Sequence, residues 1–159
     1  MSVAFRRDCD EEHLEPKFEL PIPPGPNLVT RRGLRLIERR ADELEQALAG
    51  TLDEEQRKIL LRDARYWRSR LASAQLAPLS SGVRVAIGTQ VRFDHGGQER
   101  LLAIVGHDES DPAAHRLSFL APLARALLGS AVGEEVDLPG VAQPVTILAI
   151  LVAIEQPDD

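Results

Sequence analysis

Hydrophobic positions along this chain follow two different periods, and the switch between them divides it. Leu34, Ile37, Ala41, Leu44 and Leu48 recur at steps of three and four, as do Leu60, Ala64, Trp67, Leu71 and Ala74. Each set makes one apolar stripe on a helix. Thr30 is placed to cap the first helix and Gly50 to stop it, and Thr51 with Glu54 has the capping-box spacing. Two stripes joined by so short a turn predict an antiparallel helical hairpin, a two-stranded coiled coil. With about 20 residues in each arm it is ~30 Å long.

From Val83 the period becomes two. Val83, Val85 and Ile87 alternate with Arg84 and Ala86; residues 89–93 and 99–105 follow, with a hairpin turn at 94–97. Residues 106–114 read as a loop. Residues 117–140 then form a compact unit: an apolar strand at 117–120, a break at Pro122, a short helix over 123–128, a stop at Gly129, and a strand at 135–138. A last strand runs over 145–154. The expected fold class is α+β, with an N-terminal helical hairpin followed by a small antiparallel sheet carrying one short helix.

Prolines at 16, 21, 23, 24 and 26 disfavour helix, so residues 1–27 read as a flexible or loosely docked arm. The expected divisions are an arm over 1–27, a hairpin over 28–77 and a sheet domain over 80–156. Charge follows them. Residues 1–27 carry −3, residues 28–79 carry +3 and residues 80–159 carry −6, together the overall −6. A basic middle on an acidic protein points to an anionic partner for the middle alone.

Among the 159 residues 43% are hydrophobic, enough for a core, but only 4% are aromatic, which argues against stacking platforms for single-stranded nucleic acid. The single cysteine, Cys9, excludes an internal disulfide and suits a reducing cytoplasm. The N-terminal residues have no secretory pattern, and no apolar run approaches a membrane span, so no membrane partner is expected. Cys9 and His13 lack a second pair of metal ligands.

Three carboxylates, Asp53, Glu54 and Glu55, crowd the turn between the helices. Acids there stabilise a helix N-terminus through its dipole, and they are equally the ligand type that a divalent cation takes. The hairpin's cations, Arg57, Lys58 and Arg62 near the turn and Arg31, Arg32, Arg35, Arg39, Arg40, Arg65, Arg68 and Arg70 elsewhere, suit either a solvated helix surface or a nucleic-acid backbone. No nucleophile elbow, phosphate loop or metal cluster is present, and no self-sufficient catalytic site is expected.

The order of parts resembles the Gre-type transcription elongation factors. The residues that carry the likeness are Asn27-Leu-Val-Thr30, Gly33-Leu34, Arg65-Tyr-Trp, Arg70-Leu71, Ile104-Val-Gly106, Asp108-Glu109, Asp111, Leu117-Ser118, Pro122 to Gly129, and Val132-Gly133-Glu134. The resemblance implies an FKBP-like C-terminal domain and a bacterial, cytoplasmic regulator with no catalysis and no cofactor of its own. Such a factor inserts its hairpin into the secondary channel of RNA polymerase and docks on the β′ subunit at the channel rim. Here Phe119, Leu120, Pro122 and Leu123 would dock, Asp53, Glu54 and Glu55 would form the tip, and Arg57, Lys58 and Arg62 would face nascent RNA or, more weakly, DNA. Cleavage-stimulating members carry an Asp-x-x-Glu tip that shares a Mg²⁺ with the polymerase. This tip lacks that spacing, and each arm is about ten residues shorter, a shortfall of ~15 Å.

The expected function is therefore modulation of elongation or of backtracked complexes, with weak or no stimulation of transcript cleavage. One alternative is a cleavage-stimulating factor that uses Asp53, Glu54 and Glu55. The other, from a different class, is an FKBP-like peptidyl-prolyl isomerase.

Overall fold

The computed structural model describes residues 19–152; Cys9, His13 and the ends of the expected first and last segments lie outside them. Strand β1 (Asn27–Val29) leads into helix α1 (Arg31–Leu48). Helix α2 (Glu54–Ser73) returns the chain to strand β2 (Ala74–Leu76), which pairs with β1 in parallel. Sequence periodicity missed these two strands. Three residues are too few to show a period, and Ala74, read as the end of the second stripe, is extended. The pairing ties both ends of the helix pair together, and Ala77 N–H extends it by donating to the Val29 carbonyl.

Thr30 caps α1 as expected, accepting the Gly33 N–H at 2.9 Å. The cap of α2 is Asp53, not Thr51: its Oδ1 accepts the Gln56 N–H at 2.8 Å, and Gln56 Oε1 answers the Asp53 N–H. A carboxylate two residues nearer the first helical turn reaches the free N–H groups that Thr51 would have to span to. Ile37, Ala41 and Ala64 are buried where the helices meet, with Leu34, Leu44, Leu48, Leu60 and Trp67 half-buried. Leu71 departs from the predicted stripe and is exposed, because the inward position at that level belongs to Arg70.

The second unit is a five-stranded sheet of β3 (Thr89–His95), β4 (Gln98–Val105), β5 (Arg116–Ser118), β6 (Glu135–Val136) and β7 (Val145–Val152), in the order β5-β4-β3-β7-β6. It is mixed rather than wholly antiparallel, since β5 runs parallel to β4. The loop between them, two short 3₁₀ turns at His107–Glu109 and Pro112–Ala114, carries the chain round for that crossover. Residues 83–87 form no ladder strand. Arg84 makes an isolated bridge to Ala131, and Val85 exchanges hydrogen bonds with Gly129 and Ser130.

Gly96 and Gly97 join β3 to β4 with φ of 63° and 83°, which suits a two-residue hairpin turn. On β7 a bulge opposite Arg92 and Phe93 lets Val145, Ile147 and Ile150 all face the core despite their uneven spacing. Helix α3 (Pro122–Leu127) closes that face with Ala124 and Leu127, packed with Val85, Val91, Phe93 and Ile104.

The two units meet at the 3₁₀ turn His107–Glu109. Gly106, just before it, lies so close to β1 that a Cβ there would stand 2.7 Å from the Leu28 carbonyl oxygen. The contact excludes every side chain, so the hairpin base can sit directly on the sheet domain.

Candidate functional site

The turn between the helices, residues 49–53, places Asp53, Glu54 and Glu55 together in sequence but gives them different tasks. Asp53 is occupied as the α2 cap, and Glu54 lies 4.0 Å from Lys58 Nζ. All three are exposed. Among the described residues no group of three or more His, Cys, Asp or Glu converges as a metal site. At 1.5 Å per residue α1 is ~27 Å and α2 ~30 Å long, which sets how far the turn stands from the sheet domain.

Ion pairing sorts the hairpin's cations. Arg40 pairs with Glu43, Arg68 with Glu45 across the helix pair, and Arg65 with Glu19 of the proline-rich segment. Arg62 lies against Asp63 at 3.0 Å. Arg57 and Lys58 are exposed, and of the three cations assigned to a nucleic-acid face they point outward most freely. Arg70 does not belong with them. Its side chain is only 3% exposed, and its Nε donates to Asp108 Oδ2 at 2.6 Å.

That pair is the centre of a buried polar junction which sequence reading did not find. Arg70 Nη2 also donates to Asn27 Oδ1 at 2.6 Å, Asn27 Nδ2 donates to the Arg70 carbonyl at 2.8 Å, and the Tyr66 hydroxyl donates to Asp108 Oδ1. Burial first, and then that hydrogen bond to a carboxylate, pushes the Tyr66 hydroxyl well above its usual pKa. It therefore stays a donor throughout the physiological range. Beside it Glu109, 3% exposed, accepts from Thr30 Oγ1 at 2.6 Å and from Arg32 at 3.0 Å. Gly33 lies under the same carboxylate, where a Cβ would stand 2.9 Å from Oε2. Among the described residues no buried side-chain nitrogen or oxygen lacks a partner. Asn27, Thr30, Tyr66, Arg70, Asp108 and Glu109 all stand among the residues that carry the Gre-type likeness, but nothing in the sequence joins Arg70 to a partner 38 residues away.

The four residues expected to dock separate into two roles. Phe119 and Leu123 pack against the sheet core. Leu120 is half-buried outside that cluster, and Pro122 is exposed at the first position of α3. The Ser118 hydroxyl accepts the Leu120 N–H at 3.1 Å, and the Ala121 N–H bonds the Ser118 carbonyl, so the turn is held from inside. Behind it an open groove of about 400 Å³ runs between Leu28, Pro78 and Leu79 of the hairpin base and Ile87, Phe119 and Leu128 of the sheet domain.

A helix pair clamped by buried charges to a mixed sheet, with an apolar proline turn beside the clamp, defines a protein that presents a projecting arm from a fixed base. Residues 80–151 match the family model "Transcription elongation factor, GreA/GreB, C-term". The transcription elongation factor GreA of Agrobacterium fabrum is 39% identical over 85 residues, half of this chain and 54% of that protein. GreA of Desulfovibrio desulfuricans is 37% identical over 78 residues, 46% of this chain and 48% of that protein. The chain thus spans about half the length of the curated relatives it matches.

Solved structures with a similar shape include GreA factor homolog 1 of Thermus thermophilus, 19% identical with a TM-score of 0.39 over 79% of this chain and 99% of that one. A GreA/GreB elongation factor of Nitrosomonas europaea is 24% identical with a TM-score of 0.40 over 78% and 98%. Scores this low add nothing to the likeness, which rests on the sequence matches. Over residues 80–151 the chain is similar to the C-terminal domain of the GreA/GreB transcription elongation factors.

Proposed function

We propose that this chain is a non-enzymatic regulator of transcription elongation in the bacterial cytoplasm, which binds RNA polymerase at the mouth of the secondary channel. In this reading the FKBP-like domain of residues 80–156 docks on the β′ subunit at the channel rim, and the hairpin of residues 28–77 enters the channel. The observation that carries it is the GreA/GreB match over residues 80–151, in a domain whose Asp108 and Glu109 hold the hairpin base. Among the described residues no helix is long and apolar enough to cross a membrane.

The short tip argues against strong cleavage stimulation. A carboxylate must come within ~2 Å of a cation to ligate it, and Asp53 would first have to give up its cap, at a cost of about 1 kcal/mol. The test uses stalled, backtracked elongation complexes with Mg²⁺, incubated with the wild type or with Asp53→Ala/Glu54→Ala/Glu55→Ala. Neither protein should shorten the RNA, while the wild type should compete with a long-coil GreA. Shortening that depends on the three carboxylates would establish the cleavage-stimulating reading instead.

Leu120 and Pro122 are the outward members of the docking turn, and replacing them leaves the core intact. Leu120→Ser/Pro122→Ser should weaken polymerase binding about tenfold or more, as for an apolar anchor at an interface centre, with the melting temperature little changed. Unaltered affinity would remove the turn from the interface. An isomerase has less support, since Phe93 is buried in the core and Phe119 is the single aromatic lining the groove. A prolyl-peptide isomerisation assay that shows acceleration would reverse that ranking.

A further inference from the structure

The groove between the hairpin base and the sheet domain has a chemistry of its own. Leu28, Pro78, Leu79, Ile87, Phe119 and Leu128 line it, and no charged side chain does. Leu79 on its wall is 84% exposed, and Val83 of the same segment is 66% exposed. Large aliphatic side chains left open to water beside a groove mark an interaction site.

Charge around the groove is one-sided. Three stretches of chain supply its lining, and none of residues 20–37, 74–93 or 112–133 is an aspartate or glutamate. The sheet domain is acidic as a whole, but its described acids lie in the β3–β4 hairpin, in the turn at 108–111 and from Glu134 to Asp137. Arginines stand at the end of the groove instead. Arg84 Nη1 donates at 2.8 Å to the carbonyl of Gly129, which lines the groove. Arg125 lies one helical turn after Pro122 and one turn before Leu128 and Gly129, between the docking turn and the groove. Both arginines are exposed, and neither meets a carboxylate among the described residues. The Gly129 carbonyl orients Arg84 without cancelling its charge, so an arriving carboxylate meets a cation already in place.

A partner that fits must bring apolar side chains for the lining and negative charge for the end. Phosphates do not suit a largely apolar lining, and Phe119 alone offers a ring for stacking, so a nucleic acid matches it poorly. An amphipathic helix meets both demands. Its aliphatic side chains at i, i+3, i+4 and i+7 seat in such a groove, while the flanking positions carry the acids.

We propose that the groove seats an acidic amphipathic helix of a partner protein, whose carboxylates pair with Arg84 and Arg125. Only the source of that helix, the surface met by the docking turn, rests on the polymerase reading; the chemistry of the occupant does not.

The probe is a synthetic helix with leucines in that spacing and glutamates flanking them. It is titrated into the isotope-labelled full chain at about 0.05 M salt, where exposed charges are weakly screened. Amides of residues 79, 87, 119 and 128 should shift. The same helix with lysines in place of the glutamates should bind about tenfold more weakly, as two exposed ion pairs allow. Arg84→Glu/Arg125→Glu should reverse that preference. Arg92→Glu/Arg100→Glu changes the net charge equally elsewhere on the sheet domain and should leave it standing. Leu79→Ser, at a side chain too exposed to support the fold, should weaken binding with the melting temperature unchanged. Shifts confined to other surfaces, equal affinity for the two helices, or equal effects of the two arginine pairs would overturn the proposal. So would shifts at these amides on concentrating the protein alone, which would make the occupant a second copy, or tighter binding of a single-stranded oligonucleotide there.

The same variants separate the groove from the polymerase reading. Arg84→Glu/Arg125→Glu should weaken polymerase binding about tenfold as well. Binding lost in Leu120→Ser/Pro122→Ser but kept in Arg84→Glu/Arg125→Glu would overturn the groove as a helix site and leave the docking turn standing. A wild type that selects the acidic helix yet binds no polymerase would overturn the polymerase reading and leave the groove standing.

Discussion

Replacing Arg70 by alanine should destabilise the protein by about 3–5 kcal/mol, the range found when one partner of a buried ion pair is removed. The loss is large because Asp108 is itself only 4% exposed and would keep a single donor, the Tyr66 hydroxyl, for a charge that water cannot reach. Asn27 would lose the guanidinium from its Oδ1 as well, although its Nδ2 bond to the backbone of residue 70 would remain. For a chain of this size each kcal/mol is worth roughly 2–4 °C, so the melting temperature should fall by about 6–20 °C.

A double-mutant cycle with Asp108→Ala gives the decisive comparison. If the pair is the clamp, the two single changes will not add, and Arg70→Met/Asp108→Leu should recover much of the loss by removing both charges together. Additive losses, or a single loss below about 1 kcal/mol, would show that the junction is held by β1 and β2 instead. Hydrogen exchange would then locate the effect. The amides of β1 and β2 should lose protection in Arg70→Ala before those of β3 and β7, because the altered contact lies at the hairpin base.

Leu127→Ala should cost about 2–5 kcal/mol, by lost transfer energy and the cavity left behind. Leu127 is fully buried and packs with Val85, Phe93, Ile104 and Val145. With only six residues α3 cannot sustain itself; Leu127 and Ala124 are its two buried residues, and they hold it on the sheet. The change should therefore loosen the turn at Leu120 and Pro122 as well as lower the melting point. Under the proposed function polymerase binding would weaken along with stability, whereas Leu120→Ser/Pro122→Ser should weaken binding alone. A Leu127→Ala protein with unchanged melting and unchanged binding would show that α3 is held by other contacts.

Local grammar was enough for a large part of this protein. Two stripes of period 3.6, a Gly50 stop and a short polar turn yield α1 and α2 nearly at their true bounds. A glycine pair between alternating runs yields the β3–β4 hairpin, and Pro122 and Gly129 bracket α3. These features depend on residues close in the chain, so a single sequence displays them. The Gre-type likeness was legible for a similar reason, since its residues cluster in short runs at the hairpin base and across the C-terminal domain.

What joins these pieces is not local, and tertiary structure alone decided it. The parallel β1–β2 pairing joins residues 47 positions apart and the Arg70–Asp108 pair residues 38 apart, with no periodic pattern to announce either. Arg70 looked like one more surface arginine because burial of a charge is settled by whether an opposite charge arrives. Leu71 looked like part of a seam because the stripe ends where the hairpin meets the sheet domain and the inward direction changes. The parallel placement of β5 and the choice of Asp53 over Thr51 as cap are decisions of the same kind. In each case several side chains satisfy the local rule, and contact with the rest of the fold or the geometry of the first helical turn selects one. The sequence by itself thus determined the helices, the hairpin turns and the likeness of the C-terminal domain to the Gre-type factors. Only the fold determined which charges are buried as a clamp and which face outward, because that depends on partners brought together from distant parts of the chain.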